Sequence, residues 1–506
     1  MYDLSKQQSC ICKIAKKKPM KALSRFAKLI RAIVSLLSLA LFAAASNAFG
    51  AEQAPEQVNL RPELPSQQRF SLSASIDTAI KNYPSIVAAE SQAKERSAEV
   101  TLVKTTYLPT LDLFVQELRG SVNNSLGILF PPLNIPQVAG QASAPINFNS
   151  VWASNASSFM SWKVADFGLR HSQVMEARTN VRRAEATTAL TRFGVATKAA
   201  DTYFSLIAAE EEVRAQKAGL ERMRVFAKTV ETMVNADLKP GVDNSRVEAE
   251  LALTENRLIE AEQTRDIRRA DFAQAMGVAG TFVEADPGIL MKAQPGAGPQ
   301  QAPNFTFHPL ALQQEAEIKS VQARMNVLKH EWVPEIYLEA GLFGRGSGAN
   351  YKESIAKLGY LPNIPNWAVG AKIQFHVMQY YEIKAKEKMT SNEESAQRAH
   401  YAEVMQVLLG DNARAQAMIE GAQKLAANAP KFLKAAQETE MRSRARYNVG
   451  LVDVNSIAVA EKVLIQAEVT NNLAALAVWR AYLAAAEAHG DFAPLLKLIS
   501  DASRGN

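Results

Sequence analysis

Residues 82–109, NYPSIVAAESQAKERSAEVTLVKTTYLP, are echoed by residues 307–334, FHPLALQQEAEIKSVQARMNVLKHEWVP. Tyr83-Pro84 returns as His308-Pro309, and Tyr107-Leu108-Pro109 as Trp332-Val333-Pro334. Both pairs of prolines stand 225 residues apart. Each copy is a polar helical stretch opened by a proline and closed before a second one. An alternating apolar and polar segment follows. Internal repetition decides the architecture before any local assignment. The repeat unit here is far longer than a solenoid repeat, so the chain reads as a duplicated half-protein.

The amino terminus reads as an export signal. Lys13, Lys16, Lys17, Lys18, Lys21, Arg25, Lys28 and Arg31 precede an apolar run over residues 33–45. That run is too short to span a bilayer as a helix. Ser46-Asn47-Ala48 offers small residues for cleavage after Ala48. Met20 is an alternative start that would leave an ordinary leader. The leader also distorts the charge of the whole chain, formally +6. Fifty-seven basic residues less nine leaves 48, and 51 acidic residues less one leaves 50, so residues 49–506 sit near −2. A basic partner-seeking surface for nucleic acid is therefore excluded. Both cysteines, Cys10 and Cys12, precede the apolar run, so the mature chain has no disulfide and no thiolate metal site. No apolar run of 18 residues follows the leader, so a helical membrane protein is not expected, while a β-barrel, whose signal per segment is weak, stays open.

The expected organisation is a signal peptide over 1–48, a linker over 49–70, a first repeat over 71–280, a connector over 281–304, a second repeat over 305–490 and a tail over 491–506. In the first repeat, helix is expected over 75–106 with a break at Pro84, and strands over 108–118 and 151–164. The Pro-, Gly- and Asn-rich residues 119–149 are expected to be irregular. Helix then runs over 171–239, too long for a globular domain. Leu206, Ala209, Val213, Leu220, Met223, Ala227, Val230 and Val234 form a heptad seam broken at Gln216. Pro240-Gly241 stops this helix, and 242–276 returns. The second repeat repeats the order: helix 308–331, strand 334–343, loop 344–365, strand 367–377, long helix 378–448, turn at Gly450 and returning helix 452–489. Pro430 is expected to bend the long helix or to mark an overlap of two.

The strands carry the strongest argument. Trp367, Val369, Ala371, Ile373, Phe375 and Val377 alternate with Ala368, Gly370, Lys372, Gln374 and His376. Ile336, Leu338, Ala340 and Leu342 alternate with Glu335, Tyr337, Glu339 and Gly341. Transmembrane strands show this length and alternation, as do half-buried strands of soluble sheets. The apolar set of residues 367–377 is the candidate lipid-facing surface. Four such strands cannot close a barrel alone, because their edges would leave backbone groups unpaired in hydrocarbon. Several copies are required.

The chain resembles the TolC family of outer-membrane efflux proteins. The resemblance rests on Asn82-Tyr83-Pro84 through Tyr107-Leu108-Pro109, on residues 161–170 (SWKVADFGLR) and on residues 243–250 (DNSRVEAE) with Ala275-Met276-Gly277. It extends to Arg446-Tyr447-Asn448-Val449-Gly450 and Ala460-Glu461. It covers residues 70–490 and implies a mainly α fold with a four-stranded β contribution. A homotrimer would then join a 12-stranded transmembrane β-barrel to a periplasmic α-helical barrel. It implies outer-membrane localisation, with outer-membrane lipid, a periplasmic adaptor protein and an inner-membrane transporter as partners, in tripartite efflux or type I secretion. It also places a periplasmic gate at the hairpin tips near Gly241 and Gly450. The positions matching the family's acidic ring are Ser456 and Val459, neither acidic, with Asp453 close by. Asp243 matches an acidic position on the facing hairpin, and Arg246, Arg446 and Tyr447 are candidates to hold the closed state. The alternative is a soluble periplasmic coiled-coil scaffold or adhesin.

No catalytic constellation accompanies these features. The chain has no G-x-S-x-G, Walker A or H-E-x-x-H sequence. His171, His308, His330, His376, His400 and His489 show no i,i+4 pair. Gly344-Arg345-Gly346-Ser347-Gly348 lacks dinucleotide spacing and reads as an extracellular loop. No catalytic, cofactor or metal residues are assigned, and the reading is a passive conduit rather than an enzyme.

Overall fold

The structure is a computed structural model and describes residues 69–121, 124–126, 138–142, 150–291, 304–347, 359–362 and 364–504. All fall within the unit Glu63–Asn506. The signal peptide, its cleavage site and most of the linker lie outside the described residues.

Strand β1 (Arg69–Phe70) leads into helices α1 (Leu72–Asn82) and α2 (Pro84–Thr105). Tyr83 ends one helix and opens the next, with Pro84 at the first helical position, where its missing N–H costs nothing. Strands β2 (Thr110–Ser121), β3 (Asn124–Leu126), β4 (Val138–Ala142) and β5 (Ser150–Ala165) follow. Helix α3 (Leu169–Asn235) has 67 residues and α4 (Gly241–Ala275) has 35. After β6 (Glu284–Ala285), the order recurs as α5 (Pro309–Glu331), β7 (Glu335–Ser347), β8 (Ile364–Gln374), α6 (Gln379–Asn448) and α7 (Val454–His489). Helix α6 has 70 residues and α7 has 36, near the lengths of α3 and α4. Helix α8 (Ala493–Arg504) closes the chain.

Several expectations need correction. Residues 119–149 are not wholly irregular, since β2 runs to Ser121 and β3 pairs with β4. Gly344–Ser347 continue β7 rather than forming a loop, because Gly344 and Arg345 pair with Pro365 and Ile364. Strand β8 stops at Gln374, so Phe375 and Val377 lie in the turn beyond it. Helix α6 is one helix through Pro430, so of the two alternatives there the overlap of two helices falls away. The tail, for which the sequence gives no expectation, carries α8 and buries Leu495 in the main core. Residues 69–70 are a strand, parallel to β6 across 215 residues of sequence, and Arg69 pairs with Glu284 at 2.6 Å.

The main core gathers Phe70 with Tyr203, Phe204 and Leu206 of α3, Phe272 of α4 and Met276 just beyond it. Trp479 and Leu483 of α7 and Leu495 of α8 complete it. Seam residues Leu206, Ala209, Val213, Leu220, Met223 and Val230 are buried, as the heptad pattern requires. Gln216, which breaks the seam, keeps a buried side-chain oxygen without a hydrogen bond. Alanines bring α6 and α7 together at Ala422, Ala426 and Ala481, because small side chains permit close approach.

Strands β2, β5, β7 and β8 form one antiparallel sheet in the order β2-β5-β7-β8. Its register aligns the faces across all four strands. Leu113, Ser158 and Leu342 stand in one row with Trp367, and Leu111, Met160 and Ala340 in the next with Val369. The opposite face carries Asp112, Lys163, Tyr337, Glu339 and Lys372, with Lys163–Glu335 at 2.6 Å and Lys372–Glu339 at 2.8 Å. Among the described residues β2 and β8 each have one unpaired edge.

The turn from β5 into α3 is held by Asp166, whose carboxylate accepts from the Arg170 backbone and guanidinium. Both residues are buried, and Arg170 lies over the Tyr107 ring at 4.5 Å. Gly490 ends α7 with φ +75°, and a Cβ there would meet the His308 ring at 2.7 Å. Gly490→Ala should therefore lower stability by about 1–2 kcal/mol from the left-handed backbone alone, with the steric contact adding to it. Thermal unfolding followed by circular dichroism measures this, and an unchanged midpoint would contradict the fit.

Candidate functional site at the hairpin tips

The two long hairpins, α3–α4 and α6–α7, end next to each other. Asp237 at φ 58° and Pro240 turn the first hairpin. In the second, Gly450 at φ +78° takes the left-handed position after α6. Its N–H donates to the Tyr447 carbonyl at 2.9 Å, and the Leu451 N–H donates to the Arg446 carbonyl at 2.9 Å. These bonds cap the helix in the Schellman manner. Asp453 then opens α7 by accepting from the Ser456 backbone N–H at 3.0 Å and its hydroxyl at 2.8 Å.

Tyr447 is the centre of the site. Its ring is fully buried among Met223, Phe226, Val230, Val247, Val454 and Ile457, drawn from both hairpins. Phe226 meets it edge to face at 5.3 Å. Its hydroxyl donates to Asp243 of α4 at 3.2 Å. The Lys239 ammonium donates to the Tyr447 carbonyl at 3.1 Å and lies 4.4 Å from the ring centroid. Burial pushes the Tyr447 phenol up to about 12, with the Asp243 carboxylate adding to the shift. The exposed Asp453 carboxyl is held below its usual range, first by the Ser456 hydroxyl and backbone, with Arg246 contributing.

The structure thus brings Tyr447 and Asp243 into contact, with Gly450 shaping the turn beside them. Asp453 and Ser456 bond each other rather than the facing hairpin. Arg246, Arg446 and Val459 are exposed, and Val459 is 55% accessible. Lys239 and Phe226 were missed by sequence reasoning. Lys239 stands beside the Pro240-Gly241 stop, the only local signal, while its partner is 208 residues away.

The second candidate surface is the sheet face. Trp367, Val369 and Ile373 are 75%, 71% and 72% accessible, and Ala371 is exposed between them. Phe375 and Val377 are also exposed but follow the strand. At the junction of sheet and helices, Trp332 packs on Phe375 at 6.0 Å and on Tyr380 at 6.2 Å. Trp162 donates to the Tyr107 carbonyl at 2.9 Å. No helix among the described residues is long and apolar enough to cross a membrane. No group of three or more acidic, histidine or cysteine residues among them could hold a metal.

Paired long helical hairpins joined to a small antiparallel sheet with an exposed apolar face define the class of outer-membrane channel folds. Residues 75–278 match the family model of outer membrane efflux proteins. The fold matches the crystal structures of CusC at 15% identity with TM-score 0.70, covering 83% of this chain and 92% of that one. It matches the Campylobacter jejuni CmeC outer membrane channel at 14% identity and TM-score 0.66, covering 86% and 89%. The open state of the Neisseria gonorrhoeae MtrE outer membrane channel matches at 19% identity and TM-score 0.63, covering 83% and 89%. No curated protein matches the sequence. Over residues 75–278 the chain is similar to the outer membrane efflux proteins, and its fold is that of their solved channels.

Tyr447→Phe, which keeps the ring and removes the hydroxyl, should cost about 0.5–1.5 kcal/mol. In a double-mutant cycle with Asp243→Asn the two losses should be less than additive. Strict additivity in denaturant unfolding would show that the contact carries no energy.

Proposed function

We propose that this protein is the outer-membrane channel-tunnel of a tripartite efflux or type I secretion system, a passive duct from periplasm to exterior. One observation carries the reading: a single apolar face, aligned in register across four strands, is exposed on a sheet with two unpaired edges. In hydrocarbon every backbone group must be paired, so the sheet closes only by joining copies of itself. Three copies give the 12-stranded barrel that the family resemblance implies. Trp367, Val369, Ala371 and Ile373 then face outer-membrane lipid, and the ion-paired face with Lys163, Glu335, Glu339 and Lys372 lines the lumen. The aromatic residues at the sheet–helix junction sit where interfacial belts occur.

The helices extend from the barrel into the periplasm. At about 1.5 Å per residue α3 reaches roughly 100 Å. The hairpin tips form the periplasmic entrance, closed by the Tyr447 cluster. A periplasmic adaptor protein and an inner-membrane transporter engage the helical end. The chain performs no chemistry of its own in this role. The exposed apolar sheet face disfavours a soluble scaffold, since such patches mark interaction surfaces.

Purified protein should form ion-conducting pores in planar bilayers, and failure to conduct would overturn the duct. Tyr447→Ala should raise conductance by removing bulk at the entrance; unchanged conductance would remove this tip from the gate. Val369→Arg places a cation on the lipid face at a cost of about 2–4 kcal/mol near the bilayer midplane. It should reduce the fraction extracted from outer membranes by detergent, and normal yield would contradict the assigned face.

A further inference from the structure

A second set of contacts joins the hairpins about two turns into α7 from the tip. Arg222 of α3 donates through Nε to Glu461 Oε1 of α7 at 2.6 Å. Its two terminal nitrogens donate to Glu468 at 3.0 and 2.9 Å, a bidentate fork. Gly219, one turn earlier on α3, admits Ile465 of α7 so closely that a Cβ there would stand 2.3 Å from Ile465 Cδ1. Glu461 is 2% accessible, and its Oε2 accepts no hydrogen bond. Arg444 of α6 stands 3.9 Å from that oxygen and is itself bonded to Glu440. Three carboxylates, Glu440, Glu461 and Glu468, therefore face two guanidinium groups, Arg222 and Arg444. One negative charge is left over in a buried place.

We propose that Gly219, Arg222, Glu461 and Glu468 form a clamp between the hairpins that takes up a proton on closing and holds the entrance shut independently of the Tyr447–Asp243 contact. The proposal rests on the duct reading for its consequence, though not for its geometry. The unbonded Oε2 is the seat for the proton. Burial pushes the Glu461 carboxyl above its ordinary value, and Arg222 pulls it back less strongly. Moving α3 away from α7 would hydrate the carboxyl and restore that ordinary value. The closed form thus binds the proton more tightly than the open form. Acid favours closure, and the hold weakens as pH rises through the raised value. One such group can change the open-to-closed ratio by at most about tenfold per pH unit. Arg222 is a positioning residue here, because it acts through the carboxylates that fix α7.

The test uses the protein as extracted from outer membranes, with Cys10→Ser and Cys12→Ser so that no native thiol remains, reconstituted in liposomes and planar bilayers between pH 5 and 8. Ile465→Cys reports separation of α3 from α7 by maleimide labelling, and Lys462→Cys, exposed on the same helix, corrects for intrinsic thiol reactivity. Conductance and the corrected labelling rate should both rise with pH. In the Glu461→Gln background both should stay flat at the acid level. If Glu461→Gln leaves both pH profiles unchanged, the clamp is wrong even though the pore stands. If bilayers stay silent while the labelling profile depends on Glu461, the clamp stands and the duct is wrong.

Discussion

The constraint on which this structure depends is the need of a β-sheet backbone for partners. Strands β2, β5, β7 and β8 satisfy one another internally, but the outer edges of β2 and β8 do not end in any pairing among the described residues. Register makes the problem sharper. Because side chains alternate, a single pairing scheme puts Leu111, Leu113 and Val115 on the same face as Trp367, Val369 and Ile373. A sheet with that face and those edges is unfavourable in water as an isolated plate. It becomes favourable once edges meet edges and the apolar face meets lipid.

The helices inherit the same requirement. Helix α3 is the hub, packing against α1, α2, α4, α5 and α7. Its fit is good where Tyr203, Phe204 and Leu206 meet α4, α7 and α8. Toward the tips the shared core thins to the Tyr447 cluster and the Arg222 fork. A fold that is anchored at one level and joined at its end by one small apolar cluster and a few polar contacts has a natural place to move. Local stability follows local burial. Apolar residues such as Leu425, Met441, Leu253 and Ile259 remain exposed along α6 and α4, surface that a neighbouring copy can cover.

Much of this was legible in the sequence because it depends on local rules. Proline at the first turn of α2 and α5, left-handed glycine after α6, and two-residue alternation in β7 and β8 each leave a mark within a few positions. The duplication showed that these marks form one architecture used twice. The Gly-rich end of β7 was misread because glycine signals a loop, whereas here Gly346 is small so that Leu361 and Ser154 can approach it. The tail offered no reading from sequence, because α8 has a purpose only against the distant main core. At the hairpin tips, sequence pointed to Tyr447, Asp243 and Gly450. It could not point to Lys239 or Arg222, whose partners lie over 200 residues away and whose role is set by tertiary packing. The notable charges at Arg246 and Arg446 drew attention for their type, yet both side chains are exposed.

The central claim is that one chain supplies a third of a closed transmembrane wall. Native mass spectrometry of the protein extracted from outer membranes in detergent tests it most directly. The account predicts a single species of three copies that persists until the detergent is replaced by denaturant. A monomer that stays soluble after the detergent is removed would contradict it.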